Sequence, residues 1–166
     1  MTGSDVISIP HNSNISRGNM FMTETWENKP ITQDYARIRS SIEPLIEVTQ
    51  IKGDSETHPT NSPNDAFAHY EPFDMNSSFG WSITYWSYRL YRAINSYRDT
   101  RSEEEIMRAS YARSALQTGL DIEAKVGVNP YKFGMIGSTD SHTGLATADE
   151  DNFWGKMGTN EPSPYR

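Results

Sequence analysis

Twice in this chain a stretch of helical period stops and passes at once into a short apolar run, and that order limits the folds open to it. In the first case Tyr35, Ile38 and Ile42 recur on one face of a helix over about Thr32 to Ile42. Pro44 stops it, and the β-branched run Leu45-Ile46-Glu47-Val48-Thr49-Gln50-Ile51 reads as a strand. In the second, Ser102 and Glu105 form a capping-box pattern, and Ile106, Ala109, Ala112, Leu116 and Leu120 supply an apolar face. Gly127 and Pro130 end that helix, and the strand Lys132 to Ile136 follows. A further helix is expected over Trp81 to Arg98, where Ile83, Trp86, Leu90, Ala93, Ile94 and Tyr97 keep helical spacing. Val6-Ile7-Ser8-Ile9, cut by Pro10, reads as an opening strand. The alternation predicts an α/β fold, a parallel sheet with helical crossovers and long loops, the longest from Lys52 to about Gly80.

Parallel strands end on one edge, where α/β proteins gather their sites. The expected strands deliver His11, then Lys52-Gly53-Asp54-Ser55-Glu56-Thr57-His58, then Gly137-Ser138-Thr139-Asp140-Ser141-His142-Thr143-Gly144. Asp140 and His142 are two apart, so in extended backbone both point to one side. A carboxylate and an imidazole aimed together suit a divalent metal. Asp140 and His142 are therefore candidate metal ligands, the coincidence of His, Asp or Glu just past three apolar runs (His11 among them) raises a metal site above chance, and loop placement makes Glu56 and His58 candidates for substrate binding or for acid or base. Each also has an ordinary reading. His11 suits a hydrogen-bonded loop residue, Asp140 a turn cap, and Glu56 and His58 a solvated loop. Glu47 points either toward a helix or solvent, or inward to water on a metal. His69 falls on the exposed side of a short helical turn.

Composition removes several classes of function. A net charge of −7 argues against nucleic acid as a default partner, since phosphate binding needs a basic surface. The absence of cysteine excludes disulfides, thiolate metal sites and a thiol nucleophile. No run approaches the ~20 apolar residues of a membrane span, and residues 1–10 lack the pattern of a signal peptide. The serine-hydrolase elbow Gly-x-Ser-x-Gly and both glycine-rich phosphate loops are missing.

Four blocks, in order, resemble one bacterial family, the domain-of-unknown-function 3604 family. They are Ile9-Pro10-His11-Asn12, Ile46 to Glu56, Asn129-Pro130-Tyr131-Lys132-Phe133-Gly134 through His142, and Glu150-Asp151-Asn152-Phe153-Trp154-Gly155-Lys156. That family in turn is similar to the polymerase-and-histidinol-phosphatase (PHP) superfamily of distorted β/α barrels, which bind two or three divalent metals and usually hydrolyse phosphoesters. The resemblance implies metal ligation by His11, Asp140 and His142, and matches Glu47 to an acidic position on a following strand. It also expects a His-x-His motif that these residues lack. On this reading residues 1–157 are a partial, C-terminal-half barrel of PHP type, with a polar tail over 158–166. Such a part leaves sheet surface uncovered.

The function expected is therefore part of a metal-dependent hydrolase acting on a small-molecule ester through metal-activated water. Zinc, manganese and iron all suit the donor set. The alternatives are a non-catalytic remnant or binding module of the same fold, or a carbohydrate-binding domain using Trp81, Trp86 and Tyr88. The resemblance implies export for longer relatives.

Overall fold

The computed structural model describes residues 5–50, 52–70, 72, 101–140 and 151. The expected helix over Trp81 to Arg98, His142, the block from Glu150 to Lys156 (Asp151 apart) and the tail over 158–166 lie outside these residues. So do the aromatic residues of the carbohydrate-binding alternative.

Helix α1 (Gln33–Ile42) begins where the sequence predicts, because Thr32 Oγ1 accepts the Tyr35 N–H at 3.3 Å. Its inward face differs from the expected one. Ala36 is buried and Ile38 is exposed, while Arg39 turns inward. The Arg39 guanidinium lies 4.7 Å from the Tyr131 ring centre, donates to Met20 O at 2.7 Å and pairs with Glu43 at 2.8 Å. A long side chain with a satisfied charged head thus covers apolar surface that Ile38 was expected to cover.

Strand β1 (Leu45–Gln50) follows, then the two-residue β2 (Gly53–Asp54). Helices α2 (Glu103–Arg108) and α3 (Ala112–Val126) lead to β3 (Gly134–Gly137). The sheet order is β2-β1-β3. β1 and β3 run parallel, in register from Leu45 opposite Gly134 to Glu47 opposite Ile136, with an irregularity before Thr49 meets Gly137. β2 pairs antiparallel to β1. The class is mixed α/β, and the parallel pairing expected of strands that follow helices is present. Among the described residues the sheet is open, not closed into a barrel, and not wholly parallel.

Residues 6–9 do not form the expected strand. Ser8 N–H donates to Ile42 O at 2.6 Å, and Glu47 N–H donates to Pro10 O at 2.9 Å. The segment therefore runs beside β1 in the same direction. Pro10 has no N–H to continue a ladder, and Val6 and Ile7 remain exposed. Met135 and Ile136 of β3 are exposed as well, so apolar sheet surface is uncovered among these residues.

The single helix expected from Ser102 to Gly127 is two. The capping box is present, with Glu105 N–H on Ser102 Oγ and Ser102 N–H on Glu105 Oε2. The helix then breaks at Ala109–Tyr111 because its backbone groups bond elsewhere. Ala109 O takes the Phe21 N–H at 3.0 Å, and the first N–H groups of α3, on Ala112 and Arg113, donate to Ser55 O and Glu56 O at 3.0 Å each. These are the donors a new helix leaves unpaired. Ser110 Oγ, buried, closes the joint by bonding Ile106 O and the Gly18 N–H.

The core joins Ala36, Ile46, Ala112, Ala115 and Ile122 to the aromatic group Phe21, Tyr131 and Phe133. The stripe of α3 facing it is Ala112, Ala115, Gly119 and Ile122, so Leu120, expected inside, is exposed. A Cβ on Gly119 would lie 2.2 Å from Asn129 Oδ1, which holds the Tyr131 N–H at 2.8 Å. Helix propensity alone favours alanine over glycine by about 1 kcal/mol. Here the close approach reverses the sign: Gly119→Ala is expected to destabilise by ~1–3 kcal/mol, read as a lowered urea midpoint. Gly127, at φ 81°, ends α3 as expected.

Candidate functional site

Parallel pairing of β1 and β3 puts the residues that follow both strands on one edge. Lys52 and Asp140, 88 positions apart in sequence, meet there with Lys52 Nζ 2.5 Å from Asp140 Oδ2. Their side chains are 22% and 13% exposed, so the pair is largely withdrawn from solvent. Lys52 Nζ also donates to Gln50 Oε1 at 3.2 Å, and Gln50 Nε2 donates to Glu47 Oε2 at 3.0 Å. Ser138 Oγ donates to Glu47 Oε1. The result is one chain of polar contacts, Ser138–Glu47–Gln50–Lys52–Asp140, laid along the strand ends. Of the positions open to Glu47, the solvated one is not adopted. It is buried and holds Gln50 and Ser138.

The loop after His11 joins the same edge. Pro10 O lies on the Glu47 N–H. Asn14 Nδ2 donates to Lys52 O at 2.9 Å, and Ser55 Oγ donates to Asn14 Oδ1 at 2.9 Å. Asn14 belongs to a short 3₁₀ turn, Ser13–Ile15. Three separate segments, 10–14, 47–55 and 138–140, are thus tied to one another.

His11 is exposed, with Nδ1 3.2 Å from Ile9 O. A carbonyl only accepts, so in this bond Nδ1 carries the proton. Metal-binding histidines are held the same way. Next to it Asn12 takes φ 54°, and Asn12 Oδ1, Ser13 Oγ and Ser16 Oγ are buried without a hydrogen-bond partner among the described residues. Asp140 also lies in the left-handed region, at φ 50°. Backbones of this kind cost of order 1–3 kcal/mol outside glycine and concentrate at functional sites; Asn and Asp bear the cost best. His11 offers an oriented imidazole, and Asp140 offers a carboxylate against which a cation, the Lys52 ammonium, already rests. Among the described residues no three His, Asp or Glu side chains gather as a metal-holding group; His142 is not among them.

Glu56 and His58 have partners of their own. Glu56 pairs with Arg113 at 2.7 Å, and Arg113 also binds Asp65 at 2.5 Å, which fastens the loop to the first turn of α3. Asp54 accepts the Glu56 N–H at 2.6 Å, and burial raises its pKa above the usual carboxylate value. The His58 ring lies 5.6 Å from that of Tyr111, and its Nδ1 contacts Thr60 Oγ1 at 3.0 Å. Burial pushes the Tyr111 phenol up to about 12. His69 is exposed on its turn, as expected.

Burial, and then the charge of His69, hold the His58 pKa below its ordinary 6.5. In the unfolded chain His58 takes its proton first as pH falls. Its contribution to stability is therefore whole above pH ~6.5 and is lost as pH drops through the lower folded value. The urea midpoint is expected to fall between pH 8 and pH 5, with a smaller fall in His58→Gln.

The sequence assigns Lys52 and Gln50 no site role and disfavours Ser138 as a hydrolase serine; Gln50 ends β1, Lys52 lies two beyond it and Ser138 directly follows β3, where the parallel register brings them together.

A family model described as "Protein of unknown function (DUF3604)" matches residues 1–166, and the chain belongs to that family. No curated protein and no solved structure matches it. No helix among the described residues is long and apolar enough to cross a membrane.

Proposed function

We propose, from membership of this family and the geometry of the strand-end edge, that the chain forms part of a metal-dependent hydrolase of PHP type. Its substrate class would be a small-molecule ester, with phosphoesters first. The observation that supports this best is the tying of segments 10–14, 47–55 and 138–140 to one another beside the C-terminal ends of the parallel pair β1 and β3. His11, Asp140 and His142 would hold the metal. A divalent ion held there supplies Lewis-acid polarisation of an ester oxygen and acidifies water. The protein's own part is positional. Ile9 O sets the His11 tautomer, and Glu47 fixes Gln50 and Ser138 beside Asp140. Glu56 and His58 serve as acid or base in this reading only if the loop turns from Arg113 toward the substrate. The superfamily's His-x-His ligands are the part of its pattern that these residues lack.

Hydrolysis of a generic aryl phosphate by the zinc- or manganese-loaded protein, abolished by a chelator, is the expected result. A second reading is a binding module of the same fold. The Lys52–Asp140 pair favours it, since that carboxylate is already neutralised from within. Metal binding without turnover of phosphate or sulfate esters would select it.

A further inference from the structure

The loop that leaves β2 carries a histidine built into its own turn. The Thr60 N–H donates to His58 Nδ1 at 3.2 Å, and Thr60 Oγ1 lies 3.0 Å from the same nitrogen. A backbone N–H only donates, so Nδ1 is the bare nitrogen, the ring proton sits on Nε2, and the threonine hydroxyl donates. The His58 carbonyl accepts the N–H groups of Asn61 and Ser62, at 2.9 Å each. Side chain and backbone of His58 thus hold one turn, residues 58–62. The ring lies against that of Tyr111, and Asn61 Nδ2 fastens the turn to Met107 O of α2 at 3.1 Å. On either side of the turn, Glu56 and Asp65 both pair with Arg113.

A proton on Nδ1 cancels this arrangement. It turns an acceptor into a donor that faces the Thr60 N–H, and it puts a positive charge on a partly buried ring. Among the described residues, the titratable or charged groups on the elements around His58 are Asp54 of β2, Glu56, Asp65 and His69 of the loop, Arg108 of α2, and Tyr111 and Arg113 at the start of α3. Burial opposes the proton most, His69 opposes it further, and Asp54 favours it. Tyr111 stays neutral throughout the acid range. The Phe67 N–H and Arg113 hold the Asp65 carboxyl below its usual range, so its pair with Arg113 outlasts the neutral imidazole as pH falls. We propose that protonation of His58 opens the turn 58–62 while the Arg113 pairs keep the ends of the loop in place, making the turn an acid-operated flap on the loop after β2. The switch needs no metal.

The test follows the full chain by nuclear magnetic resonance between pH 7.5 and pH 5. At pH 7.5 the His58 ring nitrogens are expected to report a proton on Nε2 and none on Nδ1. As pH falls, the amide signals of Thr60, Asn61 and Ser62 are expected to move on one curve with the His58 ring. Their protection from hydrogen exchange, corrected for the intrinsic effect of pH, is expected to fall about tenfold; the ceiling is ~30-fold, the extent to which an ordinary imidazole of pKa ~6.5 is protonated at pH 5. Ala115 and Ile122 of α3 are expected to keep theirs. His58→Asn offers the Thr60 N–H an acceptor that does not titrate, as an Asx turn, and is expected to hold the turn closed at pH 5. His69→Gln removes the opposing charge, and is expected to keep the switch with a higher midpoint. A proton on Nδ1 at pH 7.5, amides at 60–62 indifferent to the titration of His58, or the same acid loss of protection in a folded His58→Asn each overturns the proposal.

Discussion

Asp140→Asn is expected to weaken zinc or manganese binding by at least ~100-fold, about 2.7 kcal/mol. The substitution is chosen because Asp140 sits at φ 50°. Asparagine tolerates that backbone as aspartate does, whereas alanine adds strain of its own. The variant therefore removes charge while keeping shape, and a loss of affinity reports ligation. His142→Ala is expected to give a loss of similar size. Calorimetry and elemental analysis on the folded variants check both. Unchanged metal content in Asp140→Asn would remove this carboxylate from the ligand set and return it to a structural ion pair with Lys52.

The second large effect falls on the fold. Phe21 has no exposed surface. Its ring packs edge-on to Tyr131 at 5.5 Å between centres and against Phe133 at 5.7 Å. Phe21→Ala is expected to destabilise the protein by ~3–5 kcal/mol, the transfer term and the cavity together. Phe21→Leu, which refills most of the space, is expected to cost much less, about 1.5 kcal/mol or below. Urea unfolding followed by tryptophan fluorescence measures both. A Phe21→Ala midpoint within error of wild type would mean that the aromatic group is not a core.

Phe21 also shows where sequence reading ran out. It lies in a stretch rich in Asn, Ser, Gly and Met with no period, so nothing marks it as a core residue until the fold brings Tyr131 and Phe133 to it. The regular elements were legible because their signals are local. Thr32 caps α1, Ser102 and Glu105 cap α2, Gly127 ends α3, and β-branched residues fill β1. The break between α2 and α3 was not legible, since its cause is distant: carbonyls of Ser55 and Glu56 and the Phe21 N–H take the backbone groups a continuous helix would have used. The strand expected at 6–9 failed for a related reason. Its residues favour extended backbone, but Pro10 has no N–H to continue a ladder, and the segment makes two backbone bonds to residues 42 and 47.

The candidate site divides in the same way. The sequence pointed to three strand-end segments, and the structure ties the described parts of all three together. It did not reveal that Lys52 stands against Asp140, because that contact depends on the parallel register of β1 and β3 across 88 positions. Nor did it reveal that Glu56 would be committed to Arg113. Charge pairs of this kind are set by tertiary placement, and a loop rich in Asp, Glu and His offers several pairings of equal local merit.

One shared ion held by His11, Asp140 and His142 is the premise beneath the proposed chemistry. Anomalous diffraction at the zinc edge, from crystals of the zinc-loaded protein, tests it most directly. The predicted result is one peak about 2.0–2.2 Å from an imidazole nitrogen of His11, an oxygen of Asp140 and an imidazole nitrogen of His142. Zinc bound elsewhere, or no peak at this edge, would contradict it.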